Sequence, residues 1–136
     1  MFTKFLTTTC LFAIAAIIVG AYGAHGLKPF LSEEQVTSFE TGVRYHFYHV
    51  FVLLSITIFS IKYYNTTLLI SFLLFFTGIV FFSGSIYLLS TRHLHQLPVL
   101  WMGIFTPIGG LLFIIGWTTL LLYGFKVKQH FTNVSS

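Results

Sequence analysis

The sequence predicts an all-α integral membrane protein, built as a four-helix bundle with a short interfacial helix between the first and second spans. Only 7% of its residues are charged, whereas a soluble domain carries about 25%. The mean hydropathy is +0.89. Four stretches can also supply the ~20 helical residues that cross a hydrocarbon core. We therefore expect the 136 residues to form a single transmembrane domain.

The predicted spans are residues 5–24, 42–61, 68–89 and 100–125, and the predicted interfacial helix is residues 33–40. The first span is longer than the roughly 7–15 apolar residues of a signal peptide, so we expect it to be retained. Ser32 and Gln35 have the spacing of a capping box, which predicts a helix start at this point. Two interpretations stay open for this helix: it ends near residue 40, or it continues into the second span.

The second span contains unusual side chains for a membrane helix. Its apolar part, residues 50–61, is too short to cross a bilayer alone, so the spanning helix must begin near Gly42. Arg44, His46 and His49 then lie inside the span. Ionisable groups at such positions are energetically costly and usually functional.

Two spacings in this span predict side-chain contacts. Thr41, Tyr45 and His49 recur every four residues and so share one helix face. We expect His49 to face the interior of the bundle. Glu40 precedes Arg44 by four residues, an order that favours an ion pair.

Polar motifs of all four helices are predicted to reach one membrane depth. The first and third helices run outward and the second and fourth run inward, so their polar residues meet in the outer half of the bilayer. This predicted polar cluster comprises His25, Glu40, Arg44, Tyr45, His49, Ser83, Ser85, Tyr87 and Thr106. A second set is predicted to govern helix packing: Gly20, Gly84, Pro107, Gly109 and Gly110. Small residues let helices approach closely, and a proline inside a span is expected to kink or loosen it.

Three roles fit the polar cluster. Its hydroxyls and imidazoles can hydrogen-bond between helices as structural contacts. It can also form a proton or solute path, with His49 exchanging protons along neighbouring hydroxyls. As a metal or haem site it would use His25, His46 and His49, which are weak candidate ligands because no recognised ligand spacing accompanies them. No cofactor is predicted.

The charges predict orientation and argue against nucleic-acid binding. The net charge is +4, but the seven Lys and Arg are scattered at segment ends rather than clustered. One side of a four-span topology carries Lys4, Lys62, Lys126 and Lys128. The positive-inside rule therefore predicts that both ends of the chain are cytoplasmic. His93 and His95 fall in a loop, where we expect them to be solvated.

Four ordered motifs carry a resemblance to a known family. They are Gly20-Ala-Tyr-Gly-Ala-His25-Gly-Leu27, Arg44-Tyr45 with His49, Phe82-Ser-Gly-Ser-Ile-Tyr87, and Thr106-Pro-Ile-Gly-Gly110 with Trp117. The chain resembles the small bacterial membrane proteins grouped as domain of unknown function 423, to which the eukaryotic transmembrane protein 256 is related. The resemblance implies four membrane helices, a retained first helix and a location in the bacterial inner membrane. It implies no activity, substrate or catalytic residue.

The leading functional interpretation is non-enzymatic. We expect an accessory or structural membrane component that contacts the lipid bilayer and packs against itself or a larger membrane complex. A proton- or small-solute-conducting protein centred on His49 is the first alternative. A metal- or haem-binding redox subunit is the second alternative.

Overall fold

A computed structural model describes residues 1–95 and 97–134, with the backbone alone described from residue 126 onward. Four α-helices make up the fold: α1 Phe2–Ala21, α2 Glu33–Tyr63, α3 Thr66–Ser90 and α4 Phe105–Val134. All four are long and apolar enough to cross a membrane. The prediction of an all-α membrane bundle is therefore confirmed.

Helices α2 and α3 form the centre of the bundle, and α1 and α4 pack on opposite sides of them. On one side, the Phe5 ring of α1 stacks on Phe72 of α3 at 4.1 Å. On the other side, the Phe113 ring of α4 stacks on His49 of α2 at 3.5 Å. Each outer helix therefore contacts both central helices with its inner face and leaves its other face to the lipid.

A layer of large apolar side chains fills the middle of the bundle. Leu53 and Ile56 of α2 and Phe75 of α3 are fully buried there. The outer helices instead expose apolar side chains such as Ile17 and Leu121. Exposed apolar surface of this kind matches the hydrocarbon of a bilayer, which has no water to solvate polar groups.

The segment predicted as a separate interfacial helix is the first part of α2. The predicted capping box is present: Ser32 Oγ accepts from the Gln35 backbone N–H at 3.3 Å, and the Ser32 N–H donates to Gln35 Oε1 at 2.9 Å. From this cap the helix runs without a break to Tyr63. Because nothing in residues 33–42 interrupts the backbone hydrogen bonds, the second of the two open interpretations is correct.

The chain leaves α1 and enters α4 through turns that are not regular α-helix. The chain leaves α1 through a π-helical turn, Tyr22–Leu27, followed by a 3₁₀ turn at Lys28–Phe30. The fourth span begins with another 3₁₀ turn, Leu100–Ile104. Pro107 therefore lies in the first turn of α4, where its missing N–H has no intrahelical partner to lose. The helix type changes just before the proline, and the kink or loosening expected at Pro107 stays a prediction.

Candidate functional site

The structure divides the predicted polar cluster into separate sites. His25 is exposed on the π-helical turn, and Glu40 and Arg44 are exposed on α2. Arg44 Nη2 donates to Thr41 Oγ1 at 2.9 Å. In the described residues, no ion pair joins Glu40 and Arg44. The Arg44 guanidinium instead points to Thr41, one helical turn back. These three residues thus lie outside the buried part of the cluster.

His46 belongs to a buried polar contact on the α1 side of the central helices. Its Nδ1 lies 3.3 Å from Tyr87 Oη of α3, and the Phe12 ring of α1 meets it edge-on at 5.6 Å. His46 is only 5% exposed and Ser83 is fully buried. His46 Nε2 and Ser83 Oγ are buried without a hydrogen bond of ordinary geometry. Sequence reasoning named His46 only as a weak metal ligand and missed this contact.

A glycine explains how Tyr87 reaches His46. A Cβ at Gly42 would lie 2.9 Å from the Tyr87 ring, so the bare backbone of α2 gives the tyrosine its place. Gly42 precedes His46 by four residues and therefore shares its helix face. That spacing was the signal in the sequence that could have found the contact.

Ser85 and Thr106 form the polar contact between α3 and α4. Their hydroxyl oxygens are 2.7 Å apart. Ser85 Oγ also donates to the Phe82 carbonyl at 3.0 Å, so Thr106 supplies the proton of the pair. Both residues were predicted members of the cluster, and the structure brings them together.

His49 lies on the α4 side and is 6% exposed, so it faces the bundle as expected. Its Nδ1 lies 2.8 Å from the Tyr45 carbonyl oxygen. Its ring is parallel to Phe113 within 3°. The carbonyl can only accept, so Nδ1 carries the proton and the neutral ring keeps its acceptor lone pair on Nε2. Within the described residues, no protein group donates to that nitrogen.

A lateral groove between α2 and α4 lies beside His49. Its volume is about 750 Å³, which is within the usual range of about 300–1,000 Å³ for ligand pockets. Its lining comprises Tyr45, Tyr48, His49, Phe82, Pro107, Gly110, Leu111, Phe113, Ile114 and Trp117. We call this the His49 groove. Apart from one imidazole, two phenol groups and the indole N–H of Trp117, its side chains are apolar.

Glycines set the close approach of α3 and α4 next to the groove. A Cβ at Gly109 would lie 2.8 Å from Phe82 Cα, and one at Gly78 would lie 2.6 Å from the Phe113 ring. Gly109 was predicted to have a packing role and Gly78 was missed. Gly110 makes only ordinary contact with Phe82, at 3.8 Å.

Two other predicted packing glycines differ from each other. A Cβ at Gly20 would lie 3.2 Å from Val43, so α1 and α2 approach closely there. A Cβ at Gly84 would meet nothing within 4 Å. Within the described residues that side of α3 has no neighbouring helix, so the packing role of Gly84 stays a prediction.

The three histidines considered as metal ligands are not assembled into one site. His25 is exposed, His46 faces α1 and His49 faces α4. Among the side chains described, those of residues 1–95 and 97–125, no group of three or more His, Cys, Asp or Glu is placed to hold a metal ion. The weak candidate set therefore fails on geometry.

The sequence suggested that His93 is solvated, but its side chain makes two hydrogen bonds within the protein. Its Nε2 lies 2.7 Å from the Phe30 carbonyl and therefore donates to it. Its Nδ1 then accepts from Gln35 Nε2 at 3.2 Å. His95 Nε2 likewise lies 3.2 Å from the Leu88 carbonyl. The loop before α4 is thus tied to the connection between α1 and α2, a contact that only the tertiary fold reveals.

Comparisons with known proteins agree with this membrane architecture. The family model described as protein of unknown function (DUF423) matches residues 19–110. A UPF0382 membrane protein of Staphylococcus saprophyticus is 42% identical over 123 residues, covering 90% of this chain and 98% of that protein. A UPF0382 membrane protein of Haemophilus influenzae is 33% identical over 129 residues, covering 95% and 99%.

The name of a further relative states the membrane in which that relative lies. The UPF0382 inner membrane protein YgdD of Escherichia coli is 30% identical over 118 residues, covering 83% of this chain and 82% of that protein. No solved structure matches this chain. The relation to the eukaryotic transmembrane protein 256 stays a prediction. The family match and these relatives span most of the fold, and they show that the chain is a membrane protein belonging to the DUF423 family of unknown function.

Proposed function

We propose that this protein is a non-enzymatic accessory component of the bacterial inner membrane, which packs against a second copy or another membrane protein. The observation that carries the proposal is the pairing of its interior polar groups across helices. His46 pairs with Tyr87 and Ser85 pairs with Thr106. Groups that hold helices together in this way are structural contacts rather than reacting groups.

The other half of the bundle supports the same interpretation. Thr9 of α1 and Thr57 of α2 have hydroxyl oxygens 3.3 Å apart, and both residues are buried. Near the same end, Tyr123 Oη of α4 donates to the Tyr63 carbonyl at 2.7 Å. Each outer helix is therefore fixed to the centre by its own polar contacts, in addition to aromatic packing.

An apolar layer argues against a proton or solute path through the bundle. His46 and Thr57 are eleven residues apart, or about 16 Å along α2 at 1.5 Å per residue. Leu53, Phe75 and Ile79 are at most 2% exposed and fill the space between these polar levels. A conducting state would have to open this layer. Proton flux in sealed vesicles above that of protein-free vesicles would favour conduction over the accessory role.

Orientation follows from the charges rather than from the fold. The four-span arrangement puts the start of α1 and the end of α4 on the same side as the 62–65 turn. Lys4 and Lys62 lie on that side, while all three carboxylates precede or begin the second span on the other. By the positive-inside rule we assign both ends of the chain to the cytoplasm.

Site-specific photo-crosslinking in native membranes tests the accessory role. A photoreactive amino acid would replace Ile14 of α1 or Leu121 of α4, both exposed to lipid. The matched control is the same amino acid at Leu53, which is fully buried. We expect the lipid-facing probes to yield a discrete adduct with a polypeptide and the control to yield none. Lipid adducts alone, together with the 15.5 kDa mass of a single chain in mild detergent, would contradict the proposal.

A further inference from the structure

We propose that the His49 groove binds the headgroup of a membrane-soluble hydroquinone, with a ligand hydroxyl donating to His49 Nε2. This inference goes beyond the accessory role and does not depend on it. It rests on one unpaired acceptor, on the aromatic lining of the groove and on the opening of the groove toward lipid.

The acceptor is fixed by the fold. His49 Nδ1–H donates to the Tyr45 carbonyl at 2.8 Å, and the Phe113 ring covers one face of the imidazole. A neutral ring is the inexpensive form within a membrane span. Its Nε2 is then an acceptor held in one orientation, on a ring that lines the groove. Among the described residues no hydrogen bond reaches this nitrogen, although the Tyr45 and Tyr48 hydroxyls and the Trp117 indole N–H are donors in the same lining.

A comparison with His46 shows that an accessible acceptor is particular to His49. His46 Nε2 is also unpaired, but it is sealed inside the bundle and no ligand can reach it. His49 lines an open groove instead. In hydrocarbon, water cannot satisfy the acceptor as it would on a soluble protein. A donor arriving through the bilayer is therefore the natural partner of His49.

The walls of the groove select an aromatic donor. Tyr45, Tyr48 and Trp117 present rings to the groove, and Trp117 is 51% exposed. Aromatic rings associate with one another beyond simple burial. A lipid acyl chain would fill the space but leave Nε2 unpaired. A hydroquinone supplies a flat ring, a hydroxyl donor and an apolar tail that can stay in the bilayer.

The two tryptophans provide a reporter and its control. Trp117 lines the groove, whereas Trp101 lies outside it in the 3₁₀ turn before α4. The probe is reduced decylubiquinone, added to protein in phosphatidylcholine nanodiscs. In Trp101→Phe the remaining Trp117 should be quenched saturably. In Trp117→Phe the remaining Trp101 should show only a linear, collisional decrease.

The hydrogen bond is tested by changing each partner. His49→Phe keeps the stack on Phe113 and removes the acceptor, and should weaken saturable binding roughly fivefold, the size of one hydrogen bond. The same weakening is expected for the probe with both hydroxyls methylated. His25→Phe is the matched control, because His25 is exposed away from the groove, and should leave binding unchanged.

Gly110→Leu keeps the test decisive if His49→Phe fails to fold. Gly110 lines the groove and makes no tight contact, so a leucine there should fill the groove and abolish saturable quenching. Three results would overturn the proposal: equal linear quenching of both tryptophans, equal affinity for the methylated probe, or undiminished binding in folded His49→Phe. The first of these would indicate ordinary partitioning among acyl chains.

Discussion

His46 and His49 lie three residues apart on one helix and have opposite surroundings. They are almost equally buried, at 5% and 6% exposure. His46 turns toward α1 and α3, where Tyr87 approaches one ring nitrogen and the other is enclosed. His49 turns toward α4, where Nδ1 is bound to its own helix and the side chain lines a groove. Burial alone therefore does not tell which buried histidine a ligand can reach.

The two sides differ because different residues set their helix spacing. On the α1 side, Ala16 is fully buried and Gly20 lies against Val43, so α1 packs tightly on α2. On the α4 side, Gly109 brings α4 close to α3. Helix α4 meets α2 through the Phe113 ring and, near the other end, through the Tyr123–Tyr63 hydrogen bond, and the space beside the Phe113 ring is the groove.

Gly109→Val should produce the largest effect, because it breaks the α4 side where backbone meets backbone. The new Cβ would lie 2.8 Å from Phe82 Cα. Because the clash is with backbone, a side-chain rotation cannot relieve it and the two helices must move apart. We expect a loss of about 3 kcal/mol or more in the free energy of unfolding, at or above the upper end for overpacking. The measurement is unfolding in mild detergent.

Gly84→Val is the matched control for this substitution. It adds the same side chain to the neighbouring helix at a site with open space around it. We expect a change within about 0.5 kcal/mol, as for other surface substitutions. Similar losses for the two variants would show that valine harms these helices generally and that the close approach at Gly109 is not what matters.

Thiol labelling should sharpen the contrast between the two histidines. The background is Cys10→Ser, because Cys10 is exposed and is the single cysteine of the chain. In mild detergent, where water can enter the groove and ionise the thiol, His49→Cys should react with a maleimide several-fold faster than His46→Cys, since position 49 borders the groove and position 46 is enclosed. Tyr48→Cys, at an exposed position, sets the upper limit. Equal labelling rates at positions 46 and 49 would contradict the contrast between an enclosed His46 and a groove-lining His49.

The sequence was sufficient for features that depend on one helix at a time. Composition and apolar length predicted the four spans, and the spacing of Ser32 and Gln35 predicted the cap of α2. The helical repeat predicted that His49 shares a face with Tyr45, and the separate expectation that His49 faces the bundle agrees with its 6% exposure, although Tyr45 is 39% exposed. Each of these depends on residues close together in the chain, so a local pattern contains the necessary information.

Features that depend on which helices meet could not be predicted in this way. Gly84 and Gly109 look alike in the sequence, yet one faces open space and the other faces the backbone of α3. The contact of His93 with the Phe30 carbonyl joins residues 63 positions apart. Helical periodicity tells which residues share a face, but it does not tell which neighbour that face receives.

The smallest predicted effects concern the polar pairs that fix each side. Hydrogen bonds between membrane helices average about 0.6 kcal/mol in double-mutant cycles, with a maximum near 1.7. We expect the cycle of Ser85→Ala with Thr106→Val to show the larger coupling, because that pair is separated by 2.7 Å. The cycle of His46→Phe with Tyr87→Phe should fall near or below the average, because its 3.3 Å distance is at the long end for a hydrogen bond.

The order of these two couplings matters more than their size. The α1 side already has tight packing of small residues, so a weak polar pair is enough to hold it. The α4 side leaves a groove next to its close approach, and the Ser85–Thr106 pair lies at the entry of α4, one residue before Pro107. A stronger coupling for His46–Tyr87 would mean that polar contacts rather than packing close the α1 side. The enclosed state of position 46 would then depend on this hydrogen bond, and His46→Cys, which removes it, should already react as fast as His49→Cys.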